Sequence, residues 1–349
     1  MTKQIFLTSI LGIIARLELQ QRHFLLRKEK RMKIFTLILV IFFAFLFASC
    51  DNPVDSNFMY NWEGHGSEFN EAYRDSILFI STRAIGTQYV PALHYIYKDG
   101  SGIHAMSNIG NTYAAAWSPR KWKILFEMGD NINDQGLFIV NYDGSEIKRL
   151  TSKEEYVFMP ASWSPDGQLI AYLVIDTLNL TGTIKIMKPD GSSQSTITSS
   201  DYNSRLSWFP DSKRIVYDRQ ESVVYSINVD GSNQTQIFSF PNGCYAPVCS
   251  PDGNFISFSG AVYDSTTFPH YHWKIFSYNI GTGKFKQLTY GTTFETHSSW
   301  SPDSKQIVFD SKEFSESPPH IYIMNSDGTN IKSITDTDGY DYNPSWYNN

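Results

Sequence analysis

The pattern of apolar and polar positions repeats along most of the chain. Its unit is clearest at residues 163–167, where Trp-Ser-Pro-Asp-Gly leads directly into an apolar run that ends at Tyr172. Equivalent positions fall at residues 117, 163, 208, 249, 300 and 346, so the intervals are 46, 45, 41, 51 and 46 residues. A period of about 40–50 residues is typical of β-propeller blades, each made of four strands.

Each copy of the unit predicts four short strands and two tight hairpins. The second hairpin carries Asp-Gly at residues 99–100, 143–144, 190–191, 230–231 and 327–328, and Gly-Thr-Gly at 281–283 in one copy. Glycine supplies the positive φ that such turns require. The third strands, residues 137–140, 184–187, 224–227, 275–278 and 321–324, are apolar on nearly every position. Such runs predict sheets covered on both faces by neighbouring blades, with each motif tryptophan buried between them.

The first and last parts of the repeat array complete each other. Residues 77–80, 93–97 and 103–107 predict three strands without an opening motif, whereas residues 342–346 carry an opening motif with no strands after it. Adding the C-terminal strand to the N-terminal sheet gives an all-β, six-bladed β-propeller of four-stranded antiparallel blades. Closing the ring in this way removes the exposed edge strands that invite aggregation.

The repeat resembles that of the TolB-type β-propellers, a WD40-like family also known by its PD40 repeat. The residues that carry the resemblance are Trp-Ser-Pro-Asp-Gly, the following Ile-Ala-Tyr or Ile-Val-Phe, and Ile-Tyr-Ile-Met-Asn-Ser-Asp-Gly at residues 321–328. The similarity covers residues 75–349. It implies a six-bladed propeller of the bacterial envelope that binds other molecules.

The first 49 residues do not belong to the repeat. Lys28, Lys30, Arg31 and Lys33 precede an apolar run at residues 34–48, which has the length of a signal-peptide core and is short for a membrane span. The run ends in Phe-Ala-Ser-Cys50, which resembles the lipobox of bacterial lipoproteins, in which the cysteine is lipidated. A non-cleaved anchor helix is the alternative. We expect translation to start at Met32, and the polar residues 50–74 to form a tether.

Removing residues 1–49 leaves 21 Lys and Arg against 33 Asp and Glu, a net charge of −12. A surface this acidic excludes binding to a nucleic-acid phosphate backbone. The predicted location is the cell envelope, lipid-anchored and facing the periplasm or the surface, and we expect a monomer without cofactors.

Two cysteines remain besides Cys50. Cys244 and Cys249 are five residues apart, and in an extended strand their Cα atoms lie too far apart for a disulfide. Cys249 occupies the tryptophan position of the repeat, which favours a small buried apolar side chain. The Asp-Gly aspartates and the segment at residues 336–341 also suggest calcium ligands, but turn formation explains them without a metal.

The variable loops predict where a ligand binds. The tight turns lie at one end of the ring, and the loops between blades and between second and third strands lie at the other. The tyrosines, histidines and polar residues of these loops form the predicted binding surface. They are Tyr113, Tyr156, Tyr202, Asn203, Tyr245, Tyr263, His270, Tyr271, His272, Glu295, His297, His320 and Tyr342.

Two functions fit this surface. His270 and His272 are two residues apart and point the same way in a strand, so with His297 or His320 they suggest a catalytic metal site. Some related propellers are oligogalacturonate lyases with a histidine-bound metal, so a metal-dependent carbohydrate-active enzyme is the alternative. The prediction we favour is a non-catalytic scaffold that binds an envelope protein or a glycan through tyrosine-rich loops.

Overall fold

The serine and aspartate of the repeat motif form side-chain hydrogen bonds at the first hairpin of a blade. The hydroxyl of Ser164 accepts the N–H of Leu169 at 2.9 Å and donates to the Asp166 carboxylate at 2.7 Å. In another copy the hydroxyl of Ser250 likewise accepts the N–H of Phe255 and donates to the Asp252 carboxylate. The Ser-Pro-Asp sequence therefore closes the hairpin through side chains, which is why it recurs with the strands.

The computed structural model describes residues 76–83, 91–106, 111–119, 123–129, 135–142, 145–176, 181–201, 203–220, 222–267, 270–313, 318–335 and 339–346. The predicted lipidation site, signal peptide and tether lie outside these residues, as does Tyr202. Within the described residues, no helix has the length and apolarity needed to span a membrane.

The described residues form six four-stranded antiparallel sheets. We number the blades from the sheet that closes the ring. Blade 1 contains β1 (Ser76–Ser81), β2 (Ala92–Tyr97), β3 (His104–Ala105) and β24 (Asp341–Trp346). Blade 2 contains β4 (Thr112–Trp117), β5 (Lys123–Met128), β6 (Gly136–Asn141) and β7 (Lys148–Arg149). Blade 3 contains β8 (Val157–Trp163), β9 (Ile170–Asp176), β10 (Thr181–Met187) and β11 (Ser195–Asp201).

The remaining three blades follow the same order along the chain. Blade 4 contains β12 (Asn203–Trp208), β13 (Arg214–Arg219), β14 (Val223–Asn228) and β15 (Thr235–Ser239). Blade 5 contains β16 (Cys244–Cys249), β17 (Phe255–Tyr263), β18 (Tyr271–Asn279) and β19 (Lys284–Gln287). Blade 6 contains β20 (Phe294–Trp300), β21 (Gln306–Lys312), β22 (His320–Asn325) and β23 (Lys332–Ser333).

The predicted ring closure is confirmed. β24 pairs antiparallel with β1, and Trp346 lies opposite Ile77. The buried Asp341 carboxylate accepts hydrogen bonds from the Ser81 hydroxyl and the Arg83 guanidinium, each at 2.6 Å. β4, β8, β12, β16, β20 and β24, which we call the inner strands, contact one another in sequence around the ring. The last strand of the chain therefore closes the circle.

The motif tryptophans lie between blades, as predicted. Trp117, Trp163, Trp208, Trp300 and Trp346 are all buried. The indole N–H of Trp208 donates to the Ser162 carbonyl of the preceding blade at 3.0 Å, and that of Trp300 donates to the Val248 carbonyl at 3.1 Å. Each of these two side chains therefore adds a hydrogen bond to the apolar contact between adjacent sheets.

The third strands are less uniformly buried than their sequences predict. In β14, Val223, Tyr225 and Ser226 are only half-buried, whereas the central residues of β13 beside it are all buried. Both strands lie between two paired neighbours, but β14 lies one strand further from the ring axis and pairs with the edge strand β15, most of whose residues are exposed. The third strand is therefore less well covered than the second.

The turn predictions are confirmed where the residues are described. Gly100, Gly191, Gly231 and Gly328 all have positive φ. A Cβ on Gly328 would also lie 2.8 Å from the Leu288 carbonyl oxygen of the preceding blade, so glycine serves two purposes there. The Asp190 carboxylate accepts the N–H of Ser192 at 2.9 Å, which is the role of a turn residue. Cys244 and Cys249, at the two ends of β16, are buried and unbonded.

We predict that Trp346→Ala destabilises the ring by about 3–5 kcal/mol, because it removes a buried aromatic side chain from the closing strand. Urea denaturation of the variant and of wild type measures this difference in the free energy of unfolding. Ile331→Ala is the matched control, since Ile331 is half exposed on an outer strand connection. A Trp346→Ala variant as stable as this control would contradict the closure model.

Candidate functional site

The candidate site lies where the six inner strands begin. Each inner strand starts at the end of the ring that carries the blade-to-blade connections, which we call the loop-rich end, and runs toward the Pro-Asp turns at the other end. Every inner strand also has a register shift near its start, so it carries a β-bulge there. Bulges twist a strand and redirect its side chains, which is common beside functional sites.

Three buried carboxylates lie at equivalent positions of alternate blades. In each of these blades, an isoleucine of the second strand pairs with the motif tryptophan. The carboxylates of Glu127, Asp218 and Asp310 lie three residues after that isoleucine. They belong to blades 2, 4 and 6, and each is at most 3% exposed. The residues at this position in the other blades are Ile80, Leu173 and Ser259. The repeat therefore does not require a carboxylate at this position.

Two of these carboxylates bind backbone groups of the bulges. Asp218 accepts the N–H of Arg205 at 3.1 Å and that of Ala246, in the next blade, at 3.3 Å. Asp310 accepts the N–H of Asn343, also in the next blade, at 3.0 Å. Both aspartates thus connect adjacent blades by satisfying buried donors.

Asp310 has two further partners on its own blade. It contacts the Thr296 hydroxyl, and its Oδ2 lies 2.5 Å from Nδ1 of His297. Burial alone would raise the pKa of Asp310, but His297 and the hydrogen bonds hold it below the usual range. Burial lowers the pKa of His297, with Arg205 adding to the effect, so Nδ1–H of a neutral imidazole donates to the ionised carboxylate.

Glu127 has no such partner. Neither carboxylate oxygen forms a hydrogen bond within the described part of the chain. Burial raises the pKa of Glu127 to about 8, and the charge of Arg205 opposes this shift only in part. The backbone N–H that binds Asp218 comes from Ala246 in blade 5, and the one that binds Asp310 comes from Asn343 in blade 1. Each donor lies three residues before the motif position of its blade. The equivalent residue in blade 3, which follows the blade of Glu127, is Pro160, and proline has no N–H to donate.

Arg205 supplies positive charge to this region. Its side chain is half-buried, and it lies within electrostatic range of Tyr245 and of all three carboxylates, Glu127, Asp218 and Asp310. Burial lowers the pKa of its guanidinium, which still stays charged at neutral pH.

Five predicted residues lie in this same region. Tyr113, Tyr156, Tyr245, His297 and Tyr342 are all half-buried at the loop-rich ends of inner strands or just before them. Burial raises the pKa of Tyr156 to about 12, with Glu127 and Tyr113 adding smaller effects. Burial also raises the pKa of Tyr245 and of Tyr342, and the charge of Asp310 contributes to both shifts. Together with Arg205 and the three carboxylates they form what we call the channel mouth.

The long hairpin of blade 5 holds another group of predicted residues. β17 and β18 each have nine residues, and Tyr263 pairs with Tyr271 at the tip. These two tyrosines are exposed, with ring centroids 5.2 Å apart. His270 is exposed beside them, whereas His272 is buried and its Nε2 lies 2.7 Å from the Thr267 hydroxyl.

His270 and His272 therefore occupy different environments. Among the described residues, no group of three or more His, Cys, Asp or Glu side chains is arranged to hold a metal ion. The histidine cluster expected for a metal-dependent lyase is not assembled in this part of the chain.

The last predicted residues have structural partners. Glu295 is buried and accepts a hydrogen bond from the Lys274 ammonium at 2.7 Å, which connects blades 6 and 5. Nδ1 of His320 lies 3.8 Å from the Asp341 carboxylate at the ring closure. Asn203 lies in β12 at the loop-rich end.

Sequence reasoning missed the charged residues of the channel mouth. The signal that could have found Glu127, Asp218 and Asp310 is an acidic residue inside an otherwise apolar second strand, at a constant offset from the motif. Two exposed tyrosines of the loop-rich end, Tyr290 and Tyr340, were also missed. Both lie in blade-to-blade connections.

Comparison with known proteins supports the predicted family. Residues 218–349 match the family model described as PD40, TolB beta propeller domain. The structure of TolB from Acinetobacter baumannii is similar with a TM-score of 0.64 and 18% identity, over 79% of this chain and 67% of that chain. The structure of a putative TolB from Agrobacterium tumefaciens has a TM-score of 0.58 and 17% identity, over 78% of this chain and 98% of that chain. An oligogalacturonate lyase in complex with manganese has a TM-score of 0.50 and 13% identity, over 69% of this chain and 70% of that chain. Identities this low show a shared fold.

We predict that Glu127→Gln changes the pH dependence of stability. The pKa of this carboxyl is about 8 in the fold against an ordinary value of 4.5, so the folded protein loses stability as the pH rises from 4.5 through 8. For a fully buried group the loss is on the order of 3–5 kcal/mol. Urea denaturation at pH 5 and pH 9 should show that the free energy of unfolding of the variant increases relative to that of wild type at the higher pH.

Glu154→Gln is the matched control, because Glu154 is an exposed carboxylate of the same charge. The difference in free energy of unfolding between this control and wild type should be the same at both pH values. A constant difference between Glu127→Gln and wild type across this range would show that Glu127 is ionised in the fold.

Proposed function

Because the chain carries a propeller of the TolB type, we propose that it is a non-catalytic, lipid-anchored binding or scaffold module of the bacterial cell envelope. The anchor is Cys50, and the loop-rich end binds a protein or a glycan. The signal-like segment before Cys50 and the polar residues after it support the anchor, since they are the arrangement of a lipoprotein.

The observation that carries the binding function is the distribution of exposed tyrosines. Tyr263 is 53% exposed, Tyr271 40%, Tyr290 70% and Tyr340 41%, and all four lie at the loop-rich end. Phe285 and Ile331, the other large apolar side chains exposed in the described residues, follow tight turns at the opposite end. One end of the ring therefore concentrates aromatic surface.

Tyrosine suits a recognition surface for physical reasons. Its ring buries a large contact area while its hydroxyl bonds polar groups, and few rotamers are lost on binding. The Tyr263–Tyr271 pair stands on a hairpin whose strands are longer than those of the other blades. A rigid projecting pair of this kind is suited to insertion between side chains or sugar rings of a partner.

The anchor is tested with Cys50→Ser. Wild type should fractionate with membranes and incorporate labelled palmitate, because the acyl chains hold it at the bilayer. The variant should lose the label and leave the membrane fraction after an alkaline wash. A variant that stays membrane-bound without the label would contradict a lipid anchor and favour a transmembrane one.

The binding face is tested by photocrosslinking in native envelopes. A photoreactive benzoylphenylalanine in place of Tyr263 or Tyr271 should give a discrete adduct, and mass spectrometry identifies it as protein or glycan. The same replacement at Phe285 is the matched control, because that side chain is 42% exposed at the opposite end. Equal adducts from position 285 would refute a specific loop-rich binding face.

A further inference from the structure

Glu127 is buried between two blades at the channel mouth. It lies on the same face of β5 as Leu125, which packs in the apolar cluster formed with Val157, Trp163 and Ile170 of blade 3. Tyr156, just before β8, lies within electrostatic range of both Glu127 and Tyr113. The carboxylate therefore lies on the face of β5 that packs against blade 3, within electrostatic range of Tyr156.

A buried carboxylate without a hydrogen-bond partner is costly. Leaving such a group unsatisfied is unfavourable because its desolvation is not offset by a hydrogen bond, and more so when the group is charged. Asp218 and Asp310 avoid this cost by bonding the N–H of the next blade, but Pro160 withholds that bond from Glu127. An orphaned buried acid that the repeat does not require is the feature expected of a ligand site.

The charges around Glu127 indicate the sign of the ligand. Asp218 and Asp310 are two negative charges, Arg205 is one positive charge, and His297 is neutral, so the channel mouth is acidic before Glu127 ionises. The propeller as a whole is acidic as well. A cation is attracted to this region, and an anion is repelled.

From this arrangement we propose that Glu127, with Tyr156, binds a primary ammonium group of a ligand between blades 2 and 3 at the channel mouth. The carboxylate supplies the counter-charge, and the Tyr156 hydroxyl, which lies within electrostatic range of it, supplies a further hydrogen-bond acceptor. The proposal stands on the described propeller residues and does not depend on the lipid anchor or on the blade 5 hairpin.

The ligand is an organic cation, not a metal ion. Within the described residues no set of three or more His, Cys, Asp or Glu side chains converges, and hard cations such as Ca²⁺ need six or more oxygen ligands. One buried carboxylate within electrostatic range of a tyrosine hydroxyl matches an ammonium, which needs a single counter-charge and oxygen acceptors for its N–H groups.

Binding must be coupled to proton release. The free carboxyl has a pKa of about 8, so at neutral pH it is mostly protonated and must lose its proton to pair with a cation. The groups within electrostatic range of it are Tyr156, whose pKa burial raises to about 12, and Arg205, whose guanidinium stays charged, so neither titrates between pH 6 and 8. The affinity should therefore rise about tenfold per pH unit between pH 6 and 7, and level off above pH 8.

The test is isothermal titration calorimetry on the full chain in detergent. Nα-acetyl-lysine methylamide presents the ammonium as a protein side chain does, and cadaverine presents it as a free diamine. We expect at least one of the two to bind with release of about one proton per ligand at pH 6.5, and the tighter one identifies the source. The norleucine analogue, which has the same four-carbon side chain without the ammonium group, should not bind.

Two variants complete the experiment. Glu127→Gln should weaken ammonium binding at least tenfold and abolish the proton release, whereas Glu154→Gln, which removes an exposed carboxylate, should bind as wild type does. Binding that survives Glu127→Gln, a norleucine probe that binds equally, or no binding of either amine would each overturn the proposal. If Glu127→Gln does not fold, the proton count and pH dependence of wild type decide the question.

Discussion

The structure depends on one antiparallel pairing between the two ends of the propeller sequence. β24 forms hydrogen bonds with β1, and the buried Asp341 carboxylate fastens this junction to Ser81 and Arg83. Because the inner strands contact one another in a circle, each blade covers the faces of its neighbours. If this pairing were absent, β1 would become an unpaired edge strand, and β20 of blade 6 and β4 of blade 2 would lose the strand that lies between them.

The channel mouth shows how the same position can be structural in two blades and available for binding in a third. Asp218 and Asp310 hold the bulged inner strands of the following blades through backbone N–H groups. Glu127 occupies the matching place before Pro160 and therefore keeps both oxygens unbonded among the described residues. A single proline thus changes the chemistry of a repeated site, because it removes the donor that the carboxylate would otherwise use.

The predicted binding residues fall into two groups in the structure. Five of them, Tyr113, Tyr156, Tyr245, His297 and Tyr342, lie at one end of the ring with neighbours from different blades. Glu295 and His272 are instead buried with structural partners, Lys274 and Thr267. Loop position alone cannot distinguish these cases, because an exposed side chain and one that bridges blades follow the same turn signals.

The sequence by itself determined the number of blades, the position of the tight turns, the burial of the motif tryptophans and the closure by the last strand. These features follow from local patterns with a constant period, so each copy reports the same geometry independently. The tertiary structure alone decided that Arg205 lies near Glu127, Asp218 and Asp310. It also decided that a proline in blade 3 leaves a carboxylate of blade 2 without a donor. Those relations join residues of different blades, and the curvature of the closed ring brings them together.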